Sequence, residues 1–192
     1  YFSAEDGLAE SRAVFLQGCG LPDAWRGRRR FVVGELGFGT GLNILALIEL
    51  WSRARPAGGQ LHIFSVEAHP IGAADARRAL GHWPELAGLA ERLLAHWPGQ
   101  ARGGHRVEFP DLGVTLDVAV GEVASALRDW SGRADAWFLD GFAPARNPAM
   151  WRDEVLALVA ARSAPGASAA TFTVAGAVRR GLADAGFVVE KQ

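Results

Sequence analysis

The chain has 192 residues, with 20 Lys and Arg against 21 Asp and Glu and a formal net charge of −1. This length predicts a single domain with a sizeable core, and the balanced charge argues against a strongly basic nucleic-acid binder. No apolar run reaches the roughly 18–20 residues that cross a bilayer, so no membrane contact is expected. The single cysteine, Cys19, excludes an internal disulfide and fits a reducing, cytoplasmic location. The absence of a Cys/His cluster in the sequence predicts no metal site.

The first 30 residues precede any strand-like run and are predicted to form an N-terminal extension, followed by a domain over residues 31–192. Apolar strand-like runs then alternate with helix-like segments, which predicts an α/β fold with a mostly parallel sheet and helices on both faces. Strands are predicted at Phe31–Leu36, Leu61–Val66, Val114–Val120, Ala136–Leu139, Ala169–Val174 and Phe187–Glu190. Helices are predicted near 41–51, 72–81, 85–96, 122–130, 149–162 and 177–185.

The junction between the first strand and the first helix is the most informative part of the sequence. Gly37, Gly39 and Gly41 follow the strand at alternate positions, and an apolar helix begins at Leu42. Such glycines let the backbone turn sharply and let a ligand lie against peptide N–H groups, while the helix N-terminus adds positive potential. The pattern therefore predicts a nucleotide-binding loop, with an ordinary glycine-rich turn as the structural alternative.

The residues around these glycines indicate which nucleotide is bound. A dinucleotide loop usually has the pattern G-x-G-x-x-G, and its sixth position, counted from Gly37, is Leu42 here. Glu35 also places a carboxylate where a pyrophosphate would be repelled and a cationic group favoured. S-adenosylmethionine carries such a group at its amino-acid end. Glu35, Gly37, Gly39 and Gly41 are therefore predicted to bind this cofactor, and a nicotinamide-dependent oxidoreductase is disfavoured.

Two further acids end strands at the edge of the sheet where ligands of open α/β folds bind. Glu67 ends the second predicted strand and is predicted to accept hydrogen bonds from the ribose hydroxyls, the alternative being a surface cap. Glu122 follows the third predicted strand. It is expected either to accept from the adenine amino group or to serve as an acid at a helix N-terminus, and the two roles are compatible.

The fourth predicted strand ends in Asp140, which is followed by Gly141, Phe142 and Pro144. An aspartate at the end of so apolar a strand is expected to be partly buried, and burying its charge costs free energy unless it has hydrogen-bond partners. The loop is similar to the Asp-Pro-Pro-aromatic loop of amino-group methyltransferases, in which a carboxylate and backbone carbonyls hold the nitrogen in line with the methyl group. Asp140, Phe142 and Pro144 are therefore predicted to be catalytic, the alternative for Asp140 being a turn cap.

Positive charge occurs in clusters despite the balanced total. These clusters are solvated surface or, if their loops converge, a rim that contacts phosphates. They comprise Arg26, Arg28, Arg29 and Arg30, then Arg102, His105 and Arg106, and finally Arg146, Arg152, Arg179 and Arg180.

Several motifs together resemble one family. The segment from Trp137 to Trp151 closely resembles the methyltransferase domain of the MnmC family, bifunctional enzymes that modify the wobble uridine of tRNA. The similarity covers essentially the whole chain. It includes Tyr1-Phe2-Ser3, Asp6-Gly7, Glu10, Val14-Phe15-Leu16, Glu35 to Asn43, Trp97-Pro98, His105-Arg106, Thr171-Phe172-Thr173, Ala175-Gly176 and Val178-Arg179.

This resemblance implies a class I S-adenosylmethionine-dependent methyltransferase fold, in which the antiparallel seventh strand is expected to be missing or short. It implies N-methylation of 5-aminomethyl-2-thiouridine in tRNA, with a separate oxidase or amine-forming enzyme acting upstream, because no oxidase-like segment or basic tail is present in these 192 residues. It also implies that Asn43 contributes to cofactor binding. The substrate-binding residues that it implies are Phe2, Ser3, Arg146 and Asn147. Phe2 and Phe142 are expected to stack on the uracil ring, as flipped or single-stranded bases commonly require, the alternative for Phe2 being packing in the core.

In such a reaction an amine attacks the methyl group of a sulfonium, so positioning is the main task of the site. An alkyl amine has a pKa of roughly 10, and only its neutral form has the lone pair. We expect Asp140 to orient the N–H bonds first and to accept a proton second. The alternatives are a methyltransferase of the same fold that acts on another RNA site or a small amine, and a non-catalytic nucleotide-binding module.

Overall fold

The structure is a computed structural model, and it describes residues 7–141 and 147–190. Six strands form one sheet in the order β3-β4-β2-β1-β5-β6. The strands are β1 Arg30–Leu36, β2 Gln60–Glu67, β3 Gly103–Phe109, β4 Val114–Val120, β5 Ala134–Leu139 and β6 Ser163–Ala170. The α-helices are α1 Gly7–Ser11, α2 Leu42–Ala54, α3 Ala73–Leu80, α4 Ala87–Leu94, α5 Val123–Asp129, α6 Asp153–Ala161 and α7 Gly176–Asp184.

All neighbouring strands run parallel except β3, which runs antiparallel to β4. The chain leaves β1 toward β2 and β4 and later returns to the other side of β1 with β5 and β6. This reversal of direction puts a topological switch point at the carboxyl end of β1, where open α/β sheets bind their ligands. The predicted α/β fold, a mostly parallel sheet with helices on both faces, is confirmed.

Helices cover both faces of the sheet because its central strands are apolar on both sides. In β1 every residue after Arg30 is buried, as expected for a strand inside a parallel sheet. One apolar cluster joins the sheet to α2 and α4, and a second joins it to α5, α6 and α7. Together the clusters hold the strand ends, and so the site, in fixed register.

The N-terminal residues that the structure describes pack into the same core as the sheet. After α1, a π-helical turn at Arg12–Gln17 places Phe15, and Trp25 follows in a short 3₁₀ turn; both rings are fully buried. Trp25 contacts Phe31 of β1 and Trp51 of α2, edge to face, at 5.7 and 5.0 Å between ring centroids. Residues 7–30 thus form one wall of the domain.

Three predictions of elements were wrong. β3 was missed, and within the described residues it is the strand that runs antiparallel to its neighbour, β4. The predicted strand Phe187–Glu190 is not a strand. β6 ends at Ala170 and not at Val174, and it begins earlier, at Ser163, with an irregular register against β5.

Two properties of the described residues bear on binding. Over residues 7–141 and 147–190, no helix has the length and apolar character needed to span a bilayer. Over the same ranges, no group of three or more His, Cys, Asp or Glu side chains is arranged to hold a metal ion.

Candidate functional site

The glycine loop between β1 and α2 turns through three residues with positive φ. Gly37, Gly39 and Gly41 have φ values of 97°, 53° and 77°, a region that side chains other than glycine rarely adopt. A Cβ on Gly37 would lie 2.1 Å from the backbone oxygen of Asp140, whereas one on Gly39 would meet no atom within 4 Å. The loop is therefore pressed against the end of β5 at Gly37 and open at Gly39.

Phe38, within this loop, packs into the protein core. Its ring is buried and lies 5.1 Å from the ring of Trp97, centroid to centroid. The Trp97 indole in turn donates to the backbone oxygen of Ile71 at 2.9 Å. An apolar side chain inside a glycine loop thus fixes the backbone groups on either side of it.

Glu67 ends β2 and reaches across to the glycine loop. Its carboxylate accepts a hydrogen bond from the backbone N–H of Gly39 at 3.0 Å and another from the N–H of His69 at 2.8 Å. The structure therefore brings Glu67 and Gly39 together at the carboxyl edge of the sheet, as the sequence analysis expected. The ribose contact itself stays a prediction.

A chain of buried polar groups connects β2, β1, α2 and the end of β5. The Glu35 carboxylate accepts from the Ser65 hydroxyl and from the Asn43 amide, the latter at 3.3 Å. The same amide donates to the Asp140 carboxylate at 2.7 Å. Asn43 therefore places one N–H on each acid, so the position of Asp140 depends on a residue of the first turn of α2.

The Glu35 side chain is more enclosed than the sequence analysis expected. It is fully buried, and its hydrogen bonds are to Ser65 and Asn43. Its contact with the cationic group of the cofactor stays a prediction.

Burial also changes the acidity of both carboxyl groups. Loss of solvent raises the pKa of Glu35 well above its usual 4.5, and the hydrogen bonds from Ser65 and Asn43 oppose that effect only in part. The pKa of Asp140 is raised from its usual 3.8, again by burial first, with the bond from Asn43 acting in the opposite direction. A carboxyl with a raised pKa is a better proton acceptor than an exposed one.

Glu122 has a clear structural role at the start of α5. It is the N-cap residue, and its carboxylate accepts from the backbone N–H of Ser125 at 2.9 Å and pairs with Arg152 at 2.6 Å. Of the two roles expected for Glu122, the structure shows the helix-cap role. The adenine contact stays a prediction.

The remaining predicted site residues divide into two groups. Asn147 is described, and its amide donates to the Met150 sulfur at 3.7 Å. Its role toward a substrate is still a prediction. The others lie outside the described residues and are Phe2, Ser3, Phe142, Pro144 and Arg146.

The arginine clusters do not all converge on this edge of the sheet. The cluster that contains Arg28 precedes β1 and therefore lies at the opposite edge, roughly 20 Å from the glycine loop across a seven-residue strand. Arg102 is different, because antiparallel β3 begins beside Val120, where β4 ends. Arg152 follows β5 near the site but is paired with Glu122.

Sequence reasoning missed Ser65, which faces Glu35 directly across the β1–β2 pair. The register of neighbouring strands would have identified it, but a single sequence does not supply that register.

Comparisons with known proteins agree with this geometry. A family model described as S-adenosyl-L-methionine-dependent methyltransferase matches residues 84–192. The chain is 67% identical, over its full length, to the "tRNA 5-methylaminomethyl-2-thiouridine biosynthesis bifunctional protein MnmC" of Caulobacter vibrioides, covering 32% of that protein. The protein of the same name from Maricaulis maris is 57% identical, with 33% of it covered. The chain thus spans about a third of the length of the curated relatives that it matches.

A solved structure shares the fold. The crystal structure of MNMC2 from Aquifex aeolicus superposes with a TM-score of 0.75 at 21% sequence identity, covering 94% of this chain and 55% of that one. At this identity the similarity supports the architecture alone.

Proposed function

The chain belongs to the S-adenosyl-L-methionine-dependent methyltransferase family, and from this premise we propose that it methylates the primary amine of 5-aminomethyl-2-thiouridine at the wobble position of tRNA. The names of the relatives that match the whole chain at 57% and 67% identity support this substrate. So does the chemistry of the site, in which the Asp140 carboxylate is held beside the glycine loop. An amine needs only to be held and deprotonated for the reaction.

One observation carries the proposal: Asp140 stands directly beside the glycine loop. Its backbone oxygen occupies the space that a side chain on Gly37 would fill, and its N–H donates to Leu36 at 3.0 Å. Its carboxylate is held at 2.7 Å by Asn43. An acid fixed next to the cofactor loop is suited to hold the group that accepts the methyl.

The residues present fit S-adenosyl-L-methionine, the cofactor of the family. No atom lies within 4 Å of the position that a Cβ on Gly39 would take, which leaves room for a ligand there. Glu67, bonded to the Gly39 N–H, lies beside this space to accept hydrogen bonds from ribose hydroxyls. Gly37, Gly41 and Asn43 complete the set that we assign to cofactor binding. When bound, the cofactor supplies a methyl group on a positively charged sulfur, which a neutral amine can attack.

The chain's own residues then have two tasks. Asp140 accepts an N–H of the amine and so directs the lone pair toward the methyl group, while Asn43 prevents its carboxylate from rotating. The amine must also lose a proton. Because burial raises the pKa of Asp140, its carboxylate accepts this proton more readily than an exposed aspartate would. Glu35 and Ser65 act behind Asn43 as positioning residues.

The proposed substrate also determines the partners of the protein. A tRNA presents the amine, and an amine-forming activity that these 192 residues do not supply generates it upstream. Because the substrate is a tRNA, we assign the protein to the cytoplasm. Recognition by Phe2, Ser3, Phe142, Pro144, Arg146 and Asn147 remains part of this proposal.

The test is the modified-nucleoside profile of tRNA incubated with the chain and labelled methyl donor. Transfer RNA that carries the aminomethyl form is expected to gain one methyl group at the wobble base. The carboxymethylaminomethyl form is expected to remain unchanged, even with flavin added, because its secondary amine is bulkier and carries an extra charge.

The outcomes separate this function from its alternatives. Methylation of a free amine or of an unfolded RNA fragment at the same rate would favour a small-amine enzyme or another RNA site. Cofactor binding without methyl transfer to any of these substrates would leave a non-catalytic nucleotide-binding module. Conversion of the carboxymethylaminomethyl form by these 192 residues would refute the single-activity proposal.

A further inference from the structure

Phe172 and Asp140 both lie just beyond the carboxyl ends of neighbouring strands. Phe138 of β5 pairs with Ala170 of β6 in the parallel register, and Asp140 and Phe172 follow two residues after this pair. Parallel neighbours lie about 4.8 Å apart. Both residues therefore leave the sheet at the edge that carries the glycine loop, from adjoining strands.

The two side chains also share one face of the sheet. The Phe172 ring meets the ring of Phe15 edge to face, with centroids 4.9 Å apart, and Phe15 in turn lies 5.3 Å from Phe138. Phe15 and Phe138 belong to the apolar cluster on the α2 face. Asp140 is held from that same face by Asn43 of α2.

Phe172 differs from the other aromatic rings of this cluster in its exposure. Phe15 and Phe138 are fully buried, whereas 37% of Phe172 is exposed. The buried Phe15 ring supports it at an angle of 89°, which fixes its orientation. A supported and partly exposed aromatic face is the type of surface on which bases stack.

The size of the substrate group matches this spacing. A hydrogen bond of about 2.9 Å followed by two single bonds of about 1.5 Å each puts the ring carbon of an aminomethyl pyrimidine roughly 5 Å from the acid. That distance is close to the separation of neighbouring strands. The residue that leaves the adjoining strand is therefore within reach of a base whose amine contacts Asp140.

We propose that the ring of Phe172 forms one wall of the pocket that receives the pyrimidine, with Phe15 holding that ring in place. This inference rests on the proposed function, since it takes Asp140 as the residue that holds the amine. It assigns Phe172 to substrate recognition and leaves cofactor binding to the glycine loop and Glu67.

The test compares Phe172→Leu and Phe172→Met, which remove the aromatic face, with Phe172→Tyr, which keeps it. Val174→Ala is the control, because Val174 lies two residues further along and is exposed. Methyl transfer to tRNA that carries the aminomethyl base is measured, together with cofactor affinity and melting temperature. The non-aromatic variants are expected to raise KM for tRNA about tenfold, with cofactor affinity unchanged. Phe172→Tyr and the control are expected to stay within about twofold of the wild type.

Each other outcome counts against the proposal in a distinct way. A wild-type KM in both non-aromatic variants would exclude Phe172 from the pocket. Equal defects in the Tyr, Leu and Met variants, with lowered melting temperature or cofactor affinity, would show that the ring only packs against Phe15. If the wild-type chain transfers no methyl group to this tRNA, the proposed function fails and the inference fails with it.

Discussion

At the scale of single residues, the function of the site depends on how one amide is shared between two acids. The Asn43 side chain has only two N–H donors, and it gives one to Glu35 and one to Asp140. Both acids are shielded from water, which makes an unpaired charge there costly. Asn43 therefore sets the position of Asp140 and links its charge to that of Glu35.

Replacing Asp140 should separate catalysis from cofactor binding. Asp140→Ala is expected to lower kcat by about 100-fold or more, because the amine loses both its orienting group and its proton acceptor. Cofactor affinity should change little, because Glu67 and the glycine loop remain. Single-turnover rates and calorimetric titration measure the two effects, with the exposed Asp129→Ala as control. A parallel loss of affinity and rate would place Asp140 in the cofactor site instead.

Replacing Glu67 should have the opposite effect. Glu67→Ala is expected to weaken binding of S-adenosylmethionine by about 1–3 kcal/mol, the scale of charge-assisted hydrogen bonds. Part of this loss arises because the Gly39 N–H also loses its acceptor. Calorimetry measures the affinity, and Glu108→Ala, an exposed acid on β3, serves as control. Unchanged affinity would remove Glu67 from the site.

At the scale of elements, the turn between β1 and α2 permits a matched comparison of two glycines. Both have positive φ, so alanine at either position carries a backbone penalty of roughly 1–2 kcal/mol. At Gly37 the new Cβ would also overlap the Asp140 backbone oxygen, whereas at Gly39 it would meet open space. Gly37→Ala is therefore expected to lower the melting temperature of the cofactor-free protein clearly more than Gly39→Ala. Equal losses would contradict the close packing of the loop against β5.

The sequence predicted the elements where hydrophobic pattern alone determines them. β4 is found at the predicted bounds, and the predicted strands that correspond to β1, β2 and β5 differ by at most two residues at either end. β3 was missed because only Val107 and Phe109 of its seven residues are buried. β3 lies at the edge of the sheet and only one of its sides packs on the core. Its other residues are polar or glycine, so its sequence resembles a basic loop.

The wrong strand at the C-terminal end has a different cause. The backbone N–H of Phe187 donates to Leu182, and that of Gly186 donates to Ala183, which together cap α7. The apolar run that follows Gly186 suggested a strand, but its first amide is already used by the helix. Apolar composition does not reveal which backbone groups are free to pair.

At the scale of the whole molecule, the site is a product of topology. Residues distant in sequence, such as Glu35, Ser65 and Asp140, meet because three strands end or pack at the same edge. The sequence suggested the acids one by one, from their positions at or near strand ends. It did not predict that Glu35 is buried behind Asn43, since burial depends on which strands are neighbours.

The buried acids should also make the stability of the whole domain depend on pH. In the unfolded chain Glu35 ionises near its usual pKa of 4.5, whereas burial raises that pKa well above 4.5 in the folded protein. Between the two values the folded state binds more protons than the unfolded state. The stabilising contribution of Glu35 is therefore fully present below its unfolded pKa and is lost as pH rises through its folded pKa.

Glu35→Gln removes this titration, so its unfolding free energy is expected to fall less than that of the wild type as pH rises from about 4.5 toward 8. The limiting difference is about 1.4 kcal/mol per pH unit for one proton. Urea titrations across this range measure the two slopes. Glu85→Gln, at an exposed acid, should reproduce the wild-type slope. Parallel curves for Glu35→Gln and the wild type would mean that the folded protein holds Glu35 at an ordinary pKa.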